Sequence, residues 1–546
     1  MLYVIFFIFK FNFGMWGAID SSEIKTKELK MANKNLFKSL VGKLVSQTDS
    51  FNEAGGKAYK LTPEQALAQF AVTGTFNNTF YANAEDQLSK VYGFVNSVDA
   101  EFVAKLALYS RSQAHMKDMP AYLLAVLSVK DGELFEKIFD RVVSNGKMLR
   151  NFVQIMRSGA TGRKSLGSRP KRLVKSWLCN RNDRALFADS VGNDPSLADI
   201  VKMVHPKPDS DSRKAFYAYL IGKEHNFDAL PEIVKAYELF KNGKGGMPDV
   251  PFQMLTSLSL TDSDWKEIAK NAPWHMTRMN LNTFARHGVF KDHALVDLIA
   301  ARLSAKRLVE KAKVFPYQLM VAWKNASADV PAKVTDALHT AMEHAVANVP
   351  AFKGKVFICV DVSGSMSCPV TGYRSGSTSK VRCIDVAALM AASILRNNSD
   401  AEILPFDTAV VNLRLNRFDS VMTNAEKLAS VGGGGTNCSA PLKKLNDSGR
   451  EGDLIIMVSD NESWADRPWN RGTGLMNEWA KFKARNSRSR LVCLDIQPYD
   501  TSQAKDNQDV LNVGGFSDQV FKVIEAFNRD GLQGQAFLNE IEKMEL

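Results

Sequence analysis

Five oxygen-bearing side chains in three separate segments form a pattern that could bind a divalent cation. Asp361, Ser363 and Ser365 are spaced in Asp-x-Ser-x-Ser order. Thr436 follows four consecutive glycines, and Asp460 follows an apolar run. Carboxylates and hydroxyls are hard oxygen ligands, which suit Mg²⁺ or Mn²⁺ and not zinc or copper. Two carboxylates balance the charge of one such ion, so the remaining coordination position can accept an anionic oxygen from a partner. We expect one cation, Mg²⁺ in preference to Mn²⁺.

Other interpretations of these residues are weaker. The glycines at 432–435 are not followed by Gly-Lys-Ser/Thr, so a nucleotide-binding P-loop is disfavoured. Neither Ser363 nor Ser365 lies in the Gly-x-Ser-x-Gly turn of a serine nucleophile. Single Asp and Ser residues after strands often only cap helices. The order of all three elements favours the metal site.

The same residues follow short apolar runs that predict buried parallel strands. These runs lie at 355–361, 401–405, 453–458 and 490–495, and helices are predicted over 381–395 and 476–484. Strands that alternate with helices indicate a doubly wound α/β domain. Ligands of such domains bind at the carboxyl ends of the strands, where the candidate metal ligands fall.

The preceding part of the chain, residues 62–347, has the pattern of successive helices. Thr62, Pro63 and Gln65 predict a helix start with a capping threonine, a proline in the first turn and a glutamine at the third position. Breaks rich in Gly, Asn, Asp or Pro recur between segments of roughly 10–18 residues. Consecutive helix pairs suggest an α-solenoid. An irregular helical domain remains the alternative.

Positive charge is concentrated within this helical part. Residues 141–184 contain twelve basic residues against one acid, so their net charge equals the +11 of the whole chain. A local basic patch of this kind is typical of a phosphate-binding surface. The basic residues are Arg141, Lys147, Arg150, Arg157, Arg163, Lys164, Arg169, Lys171, Arg172, Lys175, Arg181 and Arg184.

Within this segment, Arg169, Arg172 and Lys175 fall on one stripe of a predicted helix, while Leu173 and Trp177 can face the core. A solvated surface that serves solubility usually mixes both signs of charge, and acids are scarce here. Membrane binding is the second alternative, but the segment lacks an extensive apolar face. Charge alone does not distinguish RNA from DNA.

Composition limits the remaining classes of protein. The chain has 546 residues, 45% of them hydrophobic and 24% charged, which excludes global disorder and indicates more than one domain. Its six cysteines form no CxxC pair, so we expect a reducing compartment, the cytoplasm. The eight histidines are dispersed, and no set of catalytic residue types clusters in the sequence. We therefore expect no enzymatic activity.

The first thirty residues differ in character from the rest. The longest apolar run, at residues 2–9, is far shorter than the roughly 20 residues that span a bilayer. It also lacks the features of a signal peptide. We expect translation to begin at Met31, with residues 1–30 as a disordered or non-native extension and no membrane association. A hydrophobic anchor is the alternative.

Together these motifs resemble the Ro ribonucleoprotein family. The pattern of Asp361, Ser363, Ser365, Thr436 and Asp460 is similar to the metal-ion-dependent adhesion site of a von Willebrand factor A domain. The segments 73–81, 167–177, 204–208 and 276–281 resemble, in the expected order, the helical TROVE module of that family. The segment 165–170 departs from the family pattern, which leaves the register of contacts near Pro170 open.

The resemblance implies a fold and a function. The fold would be an all-α ring of HEAT-like repeats at 31–350, followed by a doubly wound α/β domain at 351–546. Small non-coding Y-like RNAs would bind the basic outer surface, and single-stranded ends of misfolded RNAs would enter the ring. A role in RNA quality control beside an exoribonuclease follows, and we expect a monomer. The matching RNA-contacting residues would be Arg157, Arg163, Lys164, Arg169, Lys171, Arg172 and Lys175.

A second hypothesis belongs to a different class. The metal site could serve protein–protein adhesion or a scaffold, with the basic surface incidental to it. The concentration of positive charge in the helical part favours RNA binding.

Overall fold

The computed structural model describes residues 45–546, apart from 74–75, 315, 347–348, 374–380, 466–471, 498, 516–517 and 531–535. From residue 63 to residue 346 the described chain is helical. The helices are α1 (Pro63–Thr73), α2 (Ala84–Ser97), α3 (Ala100–Ser112), α4 (Asp118–Lys130), α5 (Gly132–Val142), α6 (Gly146–Ser158), α7 (Ser168–Asn180), α8 (Asp183–Asp189), α9 (Leu197–Val204), α10 (Asp211–Leu220), α11 (Glu232–Lys241), α12 (Phe252–Leu255), α13 (Asp262–Asn271), α14 (Trp274–Met279), α15 (Leu281–Arg286), α16 (His293–Ser304), α17 (Lys306–Ala312), α18 (Pro316–Lys324) and α19 (Ala332–Val346).

Helix α1 begins at the predicted reciprocal cap. The Thr62 hydroxyl accepts a hydrogen bond from the N–H of Gln65 at 3.2 Å, and Gln65 Oε1 accepts one from the N–H of Thr62 at 2.9 Å. Pro63 occupies the first helical position, where the N–H that it lacks would have no partner within the helix. The capping prediction is confirmed.

Neighbouring helices pack through apolar side chains. Helix α5 buries Phe135, Phe139 and Val142, and the two phenylalanines contact the ring of Phe152 on α6. Helices α3 to α6 pack mainly on one another, so helices close in sequence are also close in space. This local packing is what a helical-repeat architecture requires.

The second part of the chain contains a five-stranded parallel sheet of order β4–β3–β5–β6–β8. Its strands are β3 (Val356–Asp361), β4 (Ala401–Phe406), β5 (Leu454–Ser459), β6 (Arg490–Asp495) and β8 (Val510–Gly514). The helices around it are α20 (Cys383–Asn397), α21 (Val421–Ala429), α22 (Ala440–Asp447), α23 (Gly474–Arg485), α24 (Asp518–Asp530) and α25 (Ala536–Glu542).

The two faces of this sheet are covered by different helices. Ile358 and Val360 of β3 belong to a core that includes α20 and α21. Phe357 and Cys359, on the opposite face, lie in a second core with apolar residues of α22 and α23. Burial on both faces explains why the predicted strands are continuous apolar runs. The predicted fold, a helical part followed by a doubly wound α/β domain, is confirmed.

Residues 50–60, which precede the helical part in sequence, belong to the α/β domain. Strands β1 (Ser50–Phe51) and β2 (Lys57–Lys60) form a hairpin, and β2 pairs antiparallel with β7 (Thr501–Ser502). The predicted boundary between residues 350 and 351 lies just before β3. The α/β domain thus combines residues that precede the helical part in sequence with residues that follow it.

The helical part packs against the α/β domain at both of its ends. Helices α1 and α3 contact β8 and α25, whereas α18 and α19 contact α20 and α21. Lys324 of α18 forms an ion pair of 2.7 Å with the buried carboxylate of Asp385 on α20. Lys105 of α3 pairs with Glu542 of α25 at 2.9 Å. The α/β domain therefore closes the helices into a ring.

The prediction for residues 1–30, including a start at Met31, concerns a segment outside the described residues. In the part of the chain that the structure describes, no helix is both long enough and apolar enough to cross a membrane.

Candidate metal centre and basic surface

Asp361 is the last residue of β3 and is completely buried. Its Oδ1 accepts a hydrogen bond from the N–H of Ser363 at 2.9 Å. Its Oδ2 accepts one from the hydroxyl of Ser459, at the end of the neighbouring strand β5, at 2.5 Å. These two donors fix the orientation of the carboxyl group at the carboxyl end of the sheet, as predicted for ligands of this fold class.

The two motif serines follow directly. Ser363 precedes a 3₁₀ turn at Gly364–Ser367, and its hydroxyl lies 3.2 Å from that of Ser365. Both side chains are buried. The tight turn brings the two hydroxyls to the same point, next to the carboxyl group of Asp361.

The glycine segment lies against this turn. The N–H of Gly433 donates to the carbonyl of Val362 at 2.8 Å, and the N–H of Gly364 donates to the carbonyl of Gly434 at 3.0 Å. A side chain at 434 would meet the carboxylate of Asp407, which accepts a hydrogen bond from the N–H of Gly434 at 3.2 Å. Glycine is needed at 432, where φ is +87° and a Cβ atom would lie 2.4 Å from the carbonyl oxygen of Val362.

Thr436 follows the glycines and is buried. Its carbonyl accepts a hydrogen bond from the N–H of Trp464 at 3.2 Å, which ties the glycine segment to the loop after β5. Asp460 begins that loop, and its Oδ1 accepts a hydrogen bond from the N–H of Glu462 at 3.3 Å. The structure thus brings the three predicted segments together.

The electrostatics of this cluster favour a cation. Burial and the neighbouring Asp460 raise the pKa of Asp361 well above its ordinary value. Burial also raises the pKa of Asp460, and a hydrogen bond with Ser365 opposes that rise. Within the described residues neither carboxylate forms an ion pair with a basic side chain. Two buried carboxylates and the hydroxyls of Ser363 and Ser365 meet here, with buried Thr436 in the adjoining segment, and oxygen donors of this kind suit Mg²⁺ or Mn²⁺.

Glu462 is a further carboxyl group at this site, which the sequence analysis missed. Its side chain is completely buried, Oε2 accepts a hydrogen bond from the N–H of Ala54 at 3.0 Å, and Oε1 has no partner. Burial and the charge of Asp460 raise the pKa of Glu462 to about 9. Its position two residues after Asp460 was the available signal, but its burial depends on the distant β1–β2 hairpin.

Tyr81 is a second missed residue, contributed by the segment between α1 and α2. The pKa of Tyr81 is raised to about 12 by burial and by the nearby Asp460. The segment is held on the α/β domain because the N–H of Tyr373 donates to the carbonyl of Asn78 at 2.7 Å. Asn77 Nδ2 also donates to the carbonyl of Thr371 at 2.9 Å. No sequence motif links these positions, so only the fold reveals that the helical part borders the metal site.

The predicted basic residues lie on α6, on α7 and between them. Helix α7 starts after Gly167, and Pro170 is its third residue, where no backbone donor is needed. The helix buries Val174 and Trp177, and the Trp177 indole donates to the carbonyl of Val143 at 2.7 Å. We define the basic surface by seven side chains of α6, α7 and the segment between them, namely Arg157, Arg163, Lys164, Arg169, Lys171, Arg172 and Lys175.

Most side chains of the basic surface are accessible to a ligand. Lys171 and Lys175 are half-buried and the other five are exposed. Among the described residues, ion pairs in this set involve only Arg169 and Arg172, both with Glu136 of α5. The guanidinium of Arg169 occupies the space that a side chain at Gly132 would fill. The surface lies far from the metal cluster in sequence and belongs to the helical part.

Comparison with known proteins gives matches for both parts of the chain. Residues 355–528 match the family described as Ro60 vWA domain, which contains the whole metal motif. RNA-binding protein RO60 of Deinococcus radiodurans is 25% identical over 527 residues, covering 88% of this chain and 95% of that protein. The α/β domain thus matches the Ro60 vWA family, and the chain is similar to a Ro protein over most of its length.

Two further matches describe the extent of the similarity. The crystal structure of the Deinococcus radiodurans Ro (RSR) protein aligns with a TM-score of 0.60 at 21% identity, covering 86% of this chain and all of that one. RNA-binding protein RO60 of Caenorhabditis elegans is 22% identical over 252 residues, covering 43% of this chain and 37% of that protein. The Ro fold thus accounts for both the helical part and the α/β domain.

Proposed function

We propose that this protein binds RNA through the basic surface and does not itself catalyse a reaction. One observation carries the proposal: seven cationic side chains lie on one exposed region, and Glu136 is their one ion-pair partner among the described residues. Five of the seven form no ion pair among the described residues, and cations of this density suit a phosphate backbone. The names of the two Ro relatives, both RNA-binding proteins, support the same partner.

A finer proposal follows from the family resemblance. A small structured non-coding RNA of the Y class would bind the basic surface, while single-stranded ends of misfolded RNAs would enter the ring. The protein would act in RNA quality control or processing, beside an exoribonuclease, as a cytoplasmic monomer. The closed contact of the helices with the α/β domain supports the ring part of this proposal.

We also propose that the metal cluster holds one Mg²⁺ ion. Asp361 and Asp460 would supply the negative charge, and Ser363, Ser365 and Thr436 would supply neutral oxygens. The ion would offer an electrophilic position for an anionic oxygen of a partner. The raised pKa values of the two buried aspartates support this proposal, because a cation removes the cost of ionising both.

Substitution of Arg169, Arg172 and Lys175 by alanine tests the RNA-binding proposal. The triple variant should bind a structured small RNA more weakly than the wild type. The slope of log affinity against log salt should fall by roughly one for each lost phosphate contact, because fewer counterions are released. Fluorescence anisotropy at several salt concentrations measures both quantities.

A matched control removes the same charge elsewhere. Lys443, Lys481 and Lys543 are exposed lysines outside the helical part, and their alanine substitution should leave the affinity and the slope nearly unchanged. Equal loss of affinity in both triple variants would indicate a non-specific charge effect. Unchanged affinity in the folded Arg169, Arg172 and Lys175 variant would contradict the proposal.

Metal-dependent adhesion of a protein partner is the second candidate function. It is favoured by the donor set, because five protein oxygens would leave one position of a six-coordinate ion for a partner carboxylate. An acidic peptide that binds only when Mg²⁺ is present, and no longer binds the Asp361→Ala variant, would support it. RNA binding that persists in the same variant would show that the two activities are separate.

A further inference from the structure

A second basic feature of the helical part is a pocket of about 280 Å³ outside the basic surface. It lies where four connections between helices meet, namely those between α3 and α4, α5 and α6, α8 and α9, and α11 and α12. Its lining includes Arg111, Lys117, Lys147 and Arg150. Four cationic side chains therefore converge on one cavity.

The two arginines are anchored but not neutralised. Arg111 Nη2 donates to the hydroxyl of Ser144 at 2.7 Å, while its Nε is buried and has no acceptor. Arg150 Nη1 donates to the carbonyl of Asp189 at 2.9 Å. Both contacts are with neutral oxygens, so they orient the guanidinium groups and leave their charge unbalanced. A buried donor without an acceptor costs stability, and an anion in the pocket would supply one.

The acids near the pocket are already engaged. Asp189 Oδ1 accepts a hydrogen bond from the N–H of Gly146 at 2.8 Å, and its Oδ2 accepts one from Arg181 Nε at 2.6 Å. Asp118 accepts a hydrogen bond from Asn151 Nδ2 at 2.8 Å. Among the described residues, neither Lys117 nor Lys147 forms an ion pair. Four positive charges thus face the cavity with one carboxylate, which Arg181 neutralises.

Mutual repulsion among these cations is evident in the pocket. Burial, together with the charges of Lys147 and Arg111, lowers the pKa of Lys117. We propose that this pocket binds the terminal phosphate group of a single-stranded RNA, an inference that rests on the proposed RNA-binding function. A terminal phosphate carries about −1.5 to −2 charges at pH 7, whereas a phosphate within the chain carries one. A pocket lined by four cations matches the more highly charged group.

The pocket and the basic surface lie at opposite ends of helix α7. Arg169, near the start of α7, lies against Gly132, whereas Arg181 just after its end pairs with Asp189 of the pocket lining. The helix has 13 residues and is about 20 Å long, which is the separation of its two ends. An RNA could therefore contact the basic surface with its structured part while a single-stranded extension of several nucleotides reaches the pocket.

The test compares short single-stranded RNA probes of one sequence. They carry a 5′-phosphate, a 3′-phosphate or hydroxyl groups at both ends. The full-length protein should bind one of the phosphorylated probes at least about tenfold more tightly than the hydroxyl probe, and inorganic phosphate should compete. In the Lys117→Gln/Lys147→Gln variant the phosphorylated and hydroxyl probes should bind equally. Both lysines are exposed, so this variant retains the folded helices.

Two controls make the outcomes distinct. Lys171→Gln/Lys175→Gln removes two charges from the basic surface and should weaken structured RNA while preserving the preference for a phosphorylated end. Arg111→Gln should also abolish the preference, with folding checked by circular dichroism. Failure of the basic-surface variant to weaken structured RNA would contradict the proposed function alone. A persisting terminal-phosphate preference would still support the pocket.

Three results would overturn the inference. The first is equal binding of phosphorylated and hydroxyl probes to the wild type. The second is a preference that survives in the Lys117→Gln/Lys147→Gln variant. The third is a phosphopeptide that binds the pocket as tightly as the phosphorylated RNA of equal charge, which would assign the pocket to a different class of partner.

Discussion

Arg172 of the basic surface and Glu136 of α5 form an ion pair in which Nη2 and Oε2 lie 2.6 Å apart. The same carboxylate oxygen is 4.0 Å from Nε of Arg169. All three side chains are exposed by at least two-fifths, so the pair adds little to the stability of the fold. Its main effect is to compete with phosphate for two arginines that we expect to contact RNA.

Replacing Glu136 with glutamine should therefore strengthen RNA binding. The substitution removes one negative charge from the surface and frees both arginines. We expect an affinity gain of about twofold to fivefold at low salt, within the range of a surface ion pair, and a smaller gain at high salt. Anisotropy titrations at two salt concentrations would measure it. Glu310→Gln, an exposed acid on α17, serves as the control. A weaker or unchanged affinity would show that Glu136 does not oppose RNA.

Removal of one metal-site carboxylate should abolish cation binding without unfolding the protein. Calorimetric titration with Mg²⁺ should show binding to the wild type, weaker binding to Ser363→Ala and none to Asp361→Ala. At about one hundred times the dissociation constant, Mg²⁺ should stabilise the wild type by about 2.7 kcal/mol. RNA binding at the basic surface should persist in both variants. Global unfolding of Asp361→Ala, or wild-type metal affinity in it, would each contradict part of this account.

The carboxyl group of Asp506 should make stability depend on pH. It accepts hydrogen bonds from Gln65 Nε2 at 2.6 Å and from the N–H of Asn512 at 2.8 Å. Burial outweighs these bonds and raises its pKa to about 7. The folded state thus holds the proton more tightly than the unfolded chain, so the free energy of unfolding should fall as the pH rises from about 4 to about 7.

Asp506→Asn should flatten that pH dependence by up to a few kcal/mol, at about 1.4 kcal/mol per pKa unit. Urea unfolding between pH 4.5 and 8, with a chelator present throughout, would measure the slope. Asp400→Asn, at an exposed position, should leave the slope as in the wild type. Parallel pH profiles for wild type and Asp506→Asn would contradict the prediction.

Two shortened chains should behave differently. A chain that begins at Met31 should match the full protein in stability and RNA binding, and no membrane-bound fraction should be lost.

A chain that begins at Leu61 lacks the β1–β2 hairpin, including the Ala54 N–H that bonds to Glu462 and the Asn52 amide that donates to the carbonyl of Ser463 at 2.7 Å. Thermal unfolding should occur at lower temperature in this second chain. Equal melting temperatures would show that the hairpin is dispensable.

Much of the fold could be predicted because its signals are local. The strands that begin at residues 356, 401, 454 and 490 match predicted apolar runs to within a residue or so, and the cap at Thr62 follows from adjacent residues. Strand β8 was missed because Asn512 interrupts its apolar pattern. The β2 strand was missed because its partner β7 lies more than 440 residues later, and short strands depend on such pairing.

In the candidate metal site, too, the residues within one local motif were predictable and those placed by distant parts of the chain were not. The spacing of Asp361, Ser363 and Ser365 indicates hydroxyl and carboxylate ligands whatever surrounds them. Tyr81 and Glu462 could not be found in this way, because distant parts of the chain decide their burial and neighbours. Exposure of Arg172 was foreseeable from the helical stripe, whereas its pairing with Glu136 depends on how α5 and α7 pack.

The backbone connects the helical part to the α/β domain at both ends of the helical part. At one junction the chain runs directly from α19 into β3, and at the other it runs from β2, clasped by β7, into α1. Loss of the side-chain packing between α1, α3, β8 and α25 would loosen the second junction, yet β2 would still tether it. The second junction is therefore closed twice, by backbone pairing and by side-chain packing, so opening it requires β2 to separate from β7 as well.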